Sequence, residues 1–247
     1  MESNSVVSAE IVDDNRNNAS VKSGNSNNVS NSDTYYDYSY KLIIIGNSGT
    51  GKSSLIKAAL SNEFRKDYQT TIAFEYSSLS VKINNDKIYK LQIWDTCGQE
   101  IYRSLISNFY RNASLAVLLY SINDSKSFEA LDEWINDLRE KANSDIIIFL
   151  VGNKNDLEEE RVISFEQGKQ YAKEKNLHFF AETSAKEGNY TKEIFMEAAK
   201  QLHLSPPIGK SNNCSMSGFK NNEISNMNNS TLLEAFDGRK NNKKKCC

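Results

Sequence analysis

Proline is nearly missing from the chain: 247 residues hold two, side by side at Pro206 and Pro207. A helix cannot run through them, so they mark where the folded part ends. Glycine is scarce too, with 11 residues against an average usage of roughly 7%. Long apolar runs are absent. The longest are six residues, Leu115 to Tyr120 and Ile146 to Val151, where a membrane-spanning helix needs about 20. Neither sign of charge dominates. A net charge of −2 and a pI near 5.9 exclude a strongly basic nucleic-acid binder. Four cysteines, two of them terminal, make no disulfide framework. Cys214 is isolated and no zinc-ligand spacing occurs; His178 and His203 have no catalytic partner in the sequence. Met1 to Glu10 has no basic stretch followed by an apolar one, so no secretory leader is expected. These exclusions leave a soluble protein of a reducing compartment.

What is present is unevenly distributed. Residues 1–39 are Asn- and Ser-rich with few large apolar side chains. Such a segment buries too little surface to offset its ordering entropy, so it is expected to be disordered. Residues 206–247 are expected to form a flexible tail, Asn- and Ser-rich and then Lys-rich. One ordinary domain is expected between them, over residues 40–205.

Within that domain strand-like and helix-like segments alternate. Leu42 to Ile45 reads as a short buried strand. Val81 to Ile83 and Lys87 to Trp94 flank Asn84-Asn85-Asp86 as a hairpin. The two six-residue apolar runs suit parallel strands covered on both faces, and Leu177 to Ala181 is a weaker last strand. Phe128, Leu131, Trp134, Ile135 and Leu138 recur at helical spacing. Ser164 and Gln167 form a capping box, and Ile194, Ala198 and Leu202 mark the closing helix. The order predicts an α/β fold: a six-stranded, mostly parallel, doubly wound sheet with helices on both faces.

The chemistry starts at the first strand. It runs into Gly46-Asn47-Ser48-Gly49-Thr50-Gly51-Lys52-Ser53, with a helix-compatible segment from Ser54 onward. This is G-x-x-x-x-G-K-S, a loop whose backbone N–H groups cradle phosphates ahead of a positive helix terminus. Lys52 is placed to reach the β- and γ-phosphates and Ser53 to hold Mg²⁺. Leu91-Gln92-Ile93-Trp94-Asp95 ends in an acid suited to the outer shell of the same Mg²⁺. In the following Thr96-Cys97-Gly98-Gln99-Glu100, Gly98 is placed to offer an N–H to the γ-phosphate and Gln99 to orient an attacking water. Asn153-Lys154-Asn155-Asp156 follows a buried strand, where a doubly wound sheet collects ligand groups. A carboxylate at Asp156 matches the adjacent N1–H and N2–H₂ donors of guanine, a pair adenine lacks. Glu182-Thr183-Ser184-Ala185-Lys186 follows the last strand as a second base-side segment.

Taken together, GNSGTGKS, TIAFEY, WDTCGQE, NKND and ETSAK resemble the motif series of small GTPases of the Ras superfamily, and specifically of the Rab family. The resemblance spans Tyr40 to Leu204. It implies that Thr71 binds Mg²⁺ and the γ-phosphate, that Phe64 packs edge-on against guanine and that Tyr68 lies near the γ-phosphate. It implies that Asn153 and Lys154 brace and cover the base, that Asp156 reads it, that Ser184 and Ala185 contact its carbonyl with Lys186 alongside, and that Gln99 is catalytic. Phe74, Trp94 and Tyr110 resemble the aromatic trio that the family shows to effectors. Ala73 and Cys97 depart from the usual glycine and alanine; both are expected beside the γ-phosphate, where Cys97 could slow hydrolysis.

The chain closes as Lys243-Lys244-Lys245-Cys246-Cys247. The cysteine pair resembles the Rab signal for two geranylgeranyl chains rather than C-a-a-X. The resemblance implies a switch of vesicle traffic that binds GTP or GDP with Mg²⁺ and hydrolyses GTP. Its expected place is the cytoplasmic face of an intracellular membrane, with a cytosolic pool. The implied partners are an exchange factor, a GTPase-activating protein, an escort protein, a dissociation inhibitor and effectors, and no nucleic acid. A non-hydrolysing GTP-binding adaptor, an ATP-using phosphotransferase and a Ras-like signalling protein remain alternatives.

Overall fold

The computed structural model describes residues 7–12, 35–64, 71, 74–99 and 103–207. Tyr68, Ala73, Glu100, Cys214, Cys246 and Cys247 lie outside the described residues. The elements in order are β1 (Ala9–Val12), β2 (Tyr38–Ile45), α1 (Lys52–Ser61), β3 (Phe74–Ile83), β4 (Lys87–Thr96), α2 (Arg103–Tyr110), β5 (Leu115–Ser121), α3 (Ser125–Glu129), α4 (Leu131–Lys141), β6 (Ile147–Asn153), α5 (Phe165–Glu174), β7 (Phe179–Thr183) and α6 (Thr191–Leu204). They build one sheet in the order β1-β3-β4-β2-β5-β6-β7. β1 and β4 each pair antiparallel with β3; every other neighbour is parallel.

Period-two alternation divides the core between the two faces. Leu42 and Ile44 point to one side with Leu55, Ile194, Phe195, Ala198 and Leu202 of α1 and α6. Ile43 and Ile45 point to the other with Ile106, Leu131, Trp134, Ile135 and Leu138 of α2 and α4. All seven residues of β5 and of β6 are buried, as strands covered on both faces require.

Several local expectations are met residue by residue. Asn84 and Asn85 take φ of 51° and 56° in the β3–β4 turn, the left-handed region that asparagine tolerates and a tight hairpin needs. The Ser164 hydroxyl accepts from the Gln167 backbone, and the Gln167 side chain accepts from the Ser164 N–H at 2.8 Å. The apolar stripe from Phe128 to Leu138 is divided between α3 and α4, which meet at Ala130.

Two stretches are more ordered than composition predicts. β2 begins at Tyr38, because Tyr38 through Ile44 pair in register with Tyr89 through Asp95. A seventh strand, β1, lies in the extension expected to be disordered. Its four residues pair with Ser80–Ile83. Val7, Ala9 and Ile11 pack partly buried against the α1/α6 core. The Ser8 carbonyl accepts from the Asn84 N–H at 3.1 Å, and the Asn84 side chain accepts from the Ser8 N–H at 3.0 Å. Alternate apolar residues paired with β3 outweigh the polar composition around them. Ile11→Asp is expected to lower unfolding free energy by about 1–2 kcal/mol in urea denaturation; an unchanged midpoint would mean that β1 contributes no stability.

Candidate functional site

β2 delivers the chain to the phosphate-type loop at the carboxyl edge of the parallel strands. Gly46 has φ +138°, and a Cβ there would lie 2.2 Å from the Leu119 carbonyl oxygen, so only glycine fits between the strands. Gly51, at φ +92°, opens α1 without a side-chain cap. Orphan N–H groups of the first helical turn are thereby left for an anion. Thr50 is wholly buried, and its hydroxyl donates to the Asn47 carbonyl at 2.9 Å. Lys52 folds back over the loop and donates to the carbonyls of Gly46 and Asn47, both at 2.9 Å. Burial lowers its ammonium to about 8, against the pull of nearby Asp95. Ser48 stands exposed at the loop tip and Ser54 half-buried in the first turn.

Three segments meet at the Ser53 hydroxyl. It donates to the Asp95 carboxylate, and it shares a 2.8 Å hydrogen bond with the Thr71 hydroxyl. Asp95 is 2% exposed. Burial pushes its carboxyl up to about 6, while the Ser53 hydrogen bond and Lys52 hold it down. Its Oδ1 is buried with no hydrogen-bond partner among the described residues. Two hydroxyls and a carboxylate with a spare oxygen form a hard, all-oxygen donor set that fits Mg²⁺.

Gly98 presses on the same loop. A Cβ there would lie 2.4 Å from Lys52 Nζ and from the Ser48 nitrogen, so no side chain fits. Gln99 follows, partly exposed. Cys97, expected beside the γ-phosphate, is a buried neighbour of Lys52. It is 1% exposed within the cluster holding Ile45, Ile106 and Tyr110, and burial raises its thiol pKa.

The base-side segments are locked together by Asn153, 1% exposed at the end of β6. Its amide donates to the Thr50 carbonyl at 2.8 Å, and its oxygen accepts from Thr183 at 3.1 Å and from the Ala185 N–H at 3.3 Å. One side chain thus joins the phosphate-type loop to both base-side segments. Lys154 is held at φ 68°, a left-handed conformation that a non-glycine residue adopts under constraint. The Asp156 side chain, 4% exposed, accepts from the Ser184 hydroxyl at 2.7 Å and from Lys186 at 3.2 Å. Burial raises its carboxyl, but these hydrogen bonds outweigh it and leave the pKa below the usual carboxylate value. Phe64 is 40% exposed beyond α1.

Two contributors lie outside the expected site residues. Arg161 makes a two-pronged contact to Glu182, at 2.7 and 2.8 Å, and also binds Glu158. It clamps the chain after Asp156 to the strand before Ser184. The only sequence signal is opposite charge at distant positions. The second is Phe109. Tyr110, expected in the aromatic trio, is 0% exposed; it lies on the inner face of α2. Phe109 instead joins Phe74 and Trp94, with ring centroids 4.7 and 5.5 Å away, and Tyr76 lies edge-on to Trp94 at 5.4 Å.

A glycine-lined loop on a helix terminus, an oxygen cluster beside it and a braced carboxylate beyond it define a phosphate-loop nucleotide-binding domain. Residues 41–204 match the Ras family model. The chain is 42% identical over 168 residues to Ras-related protein Rab11B of Nicotiana tabacum, covering 68% of this chain and 76% of that protein. It is 41% identical over 171 residues to Ras-related protein RABA1f of Arabidopsis thaliana, covering 69% and 78%. It is 42% identical over 167 residues to GTP-binding protein ypt3 of Schizosaccharomyces pombe, covering 68% and 77%. The chain belongs to the Ras family, as a Rab small GTPase of membrane traffic. Neither the adaptor nor the Ras-like signalling alternative is favoured. No described helix is long and apolar enough to cross a membrane.

Proposed function

We propose that this Rab GTPase switches through the Ser53–Asp95–Thr71 cluster, and that its intrinsic hydrolysis is slow until an activating protein assists. The observation that carries the reading is the Thr71 hydroxyl within 2.8 Å of Ser53. Thr71 belongs to neither β3 nor α1, so an oxygen ligand on a connecting segment reaches the phosphate loop. Ser53 and Thr71 would hold Mg²⁺ directly and Asp95 from its outer shell. When bound, that ion neutralises charge building on the β- and γ-phosphate oxygens.

The rest falls to the chain's own groups. Lys52 stabilises the same charge from the loop side. Gly98 offers its N–H to the γ-phosphate, and Gln99 orients the water for in-line attack. Asn153 braces the site, Lys154 and Phe64 cover guanine, and Asp156 accepts its N1–H and N2–H₂ protons while Ser184, Ala185 and Lys186 line the carbonyl side. Loss of the γ-phosphate releases the Thr71 and Gly98 segments. None of the motifs supplies an arginine finger, so an activator should raise turnover by roughly 10³–10⁵. Phe74, Tyr76, Trp94 and Phe109 offer a surface to effectors, and exchange factor, escort protein and dissociation inhibitor complete the cycle. Cys246 and Cys247 would carry two geranylgeranyl chains, with the lysines adding about 1 kcal/mol each at an anionic leaflet.

In single-turnover assays, GTP is expected to hydrolyse slowly alone and quickly with an activator that brings its arginine. Gln99→Leu should cut the unassisted rate by about tenfold or more. No hydrolysis under any condition would contradict the enzyme reading. Intact-mass analysis of protein from its native membranes should find two C20 chains on Cys246 and Cys247; unmodified cysteines or one farnesyl group would contradict the anchor.

A further inference from the structure

Trp134 belongs to the apolar stripe of α4 and is 0% exposed among Leu131, Ile135 and Leu138. Its indole N–H nevertheless leaves the core. It donates to Asn47 Oδ1 at 2.8 Å, across 87 positions of sequence. An indole nitrogen can only donate. It therefore fixes the Asn47 amide with its oxygen toward α4.

Asn47 is the node of the phosphate loop. Its carbonyl accepts from the Thr50 hydroxyl and from Lys52 Nζ, both at 2.9 Å. The same residue is thus held at its side chain by a buried tryptophan of α4 and holds, at its backbone, the cation that faces the phosphates. A loop rich in positive-φ glycines has little stiffness of its own: Gly46, Gly49 and Gly51 have φ of 138°, 79° and 92°. An outside anchor can supply what the loop lacks.

We propose that Trp134 is a positioning residue for nucleotide binding, which sets the phosphate loop through its hydrogen bond to Asn47 and so slows release of the diphosphate. This rests on the phosphate loop being the nucleotide site, and it touches neither base nor metal. The anchor acts where β-phosphate is cradled, so its loss should distinguish GDP from GMP.

The test is the release rate of GDP, and the competition constant of GMP, for the full chain and four variants. Trp134→Phe keeps the ring in the core and removes the N–H. Asn47→Ala removes the acceptor, Asn47→Asp retains one, and the fourth combines Trp134→Phe with Asn47→Ala. Each of the first two should speed GDP release about tenfold, the worth of one lost buried hydrogen bond. The double variant should be no faster than its singles, because both break the same bond. Asn47→Asp should recover most of what Asn47→Ala loses, and GMP competition should move less than roughly twofold. GDP release unchanged by both single variants would overturn the proposal. So would an equal loss for GDP and GMP, or multiplied effects in the double variant. If Trp134→Phe fails to fold, the contrast between Asn47→Ala and Asn47→Asp decides alone. Wild-type protein that does not retain GDP would overturn the nucleotide reading, and the anchor with it.

Discussion

A buried carboxylate with an unused acceptor lone pair is an expensive thing to fold around. Taking Asp95 out of water costs several kcal/mol unless charge or hydrogen bonds compensate. The protein supplies part of that compensation: one serine hydroxyl, and a lysine near enough to pull the carboxyl back toward ionisation. Among the described residues Oδ1 is left unmatched. The cluster is therefore poised for a divalent cation. Because its three oxygens come from the end of β4, the start of α1 and the segment before β3, whatever fills it ties together parts of the chain that have few other reasons to agree. The proposed switch rests on that arrangement: one ligand site joins Ser53, Thr71 and Asp95.

The sheet exists, in this sense, to bring strand ends to one edge. β2 delivers the glycine loop, β4 delivers Asp95, and β6 and β7 deliver Asn153 and Ser184. Asn153 then fastens the phosphate side to the base side by three hydrogen bonds from a single amide. That edge is reinforced by the Arg161–Glu182 ion pair. It depends on parallel register, which places the ends of β5, β6 and β7 level with one another. At the opposite edge β3 is capped at one end by β1, the strand drawn from the polar N-terminal extension.

Chemistry was more legible in the sequence than packing was. Gly46, Lys52, Ser53, Asp95, Asn153 and Asp156 could be placed because phosphate, magnesium and guanine each demand particular groups at particular strand ends. The buried runs Leu115–Tyr120 and Ile146–Val151 announced themselves by having no polar face. What stayed hidden belongs to tertiary structure. Val7, Ala9 and Ile11 look like scattered apolar residues of a polar extension until β3 offers them an edge. Cys97, just past β4, carries no sequence signal that it packs with Ile106 and Tyr110. Tyr110 and Phe109 are adjacent aromatics of similar character, and the phase of α2 sends one inward. Arg161 and Glu182 carry no local signature of their pairing.

The central claim is that a divalent cation completes the Ser53–Asp95–Thr71 cluster and holds the nucleotide through it. The most direct measurement is the dissociation rate of GDP from the full chain in millimolar Mg²⁺ and after chelation. The account predicts slow release with the metal and release faster by about a hundredfold without it, since roughly 3 kcal/mol of binding rests on the ion's charge. Equal rates in the two conditions would contradict it.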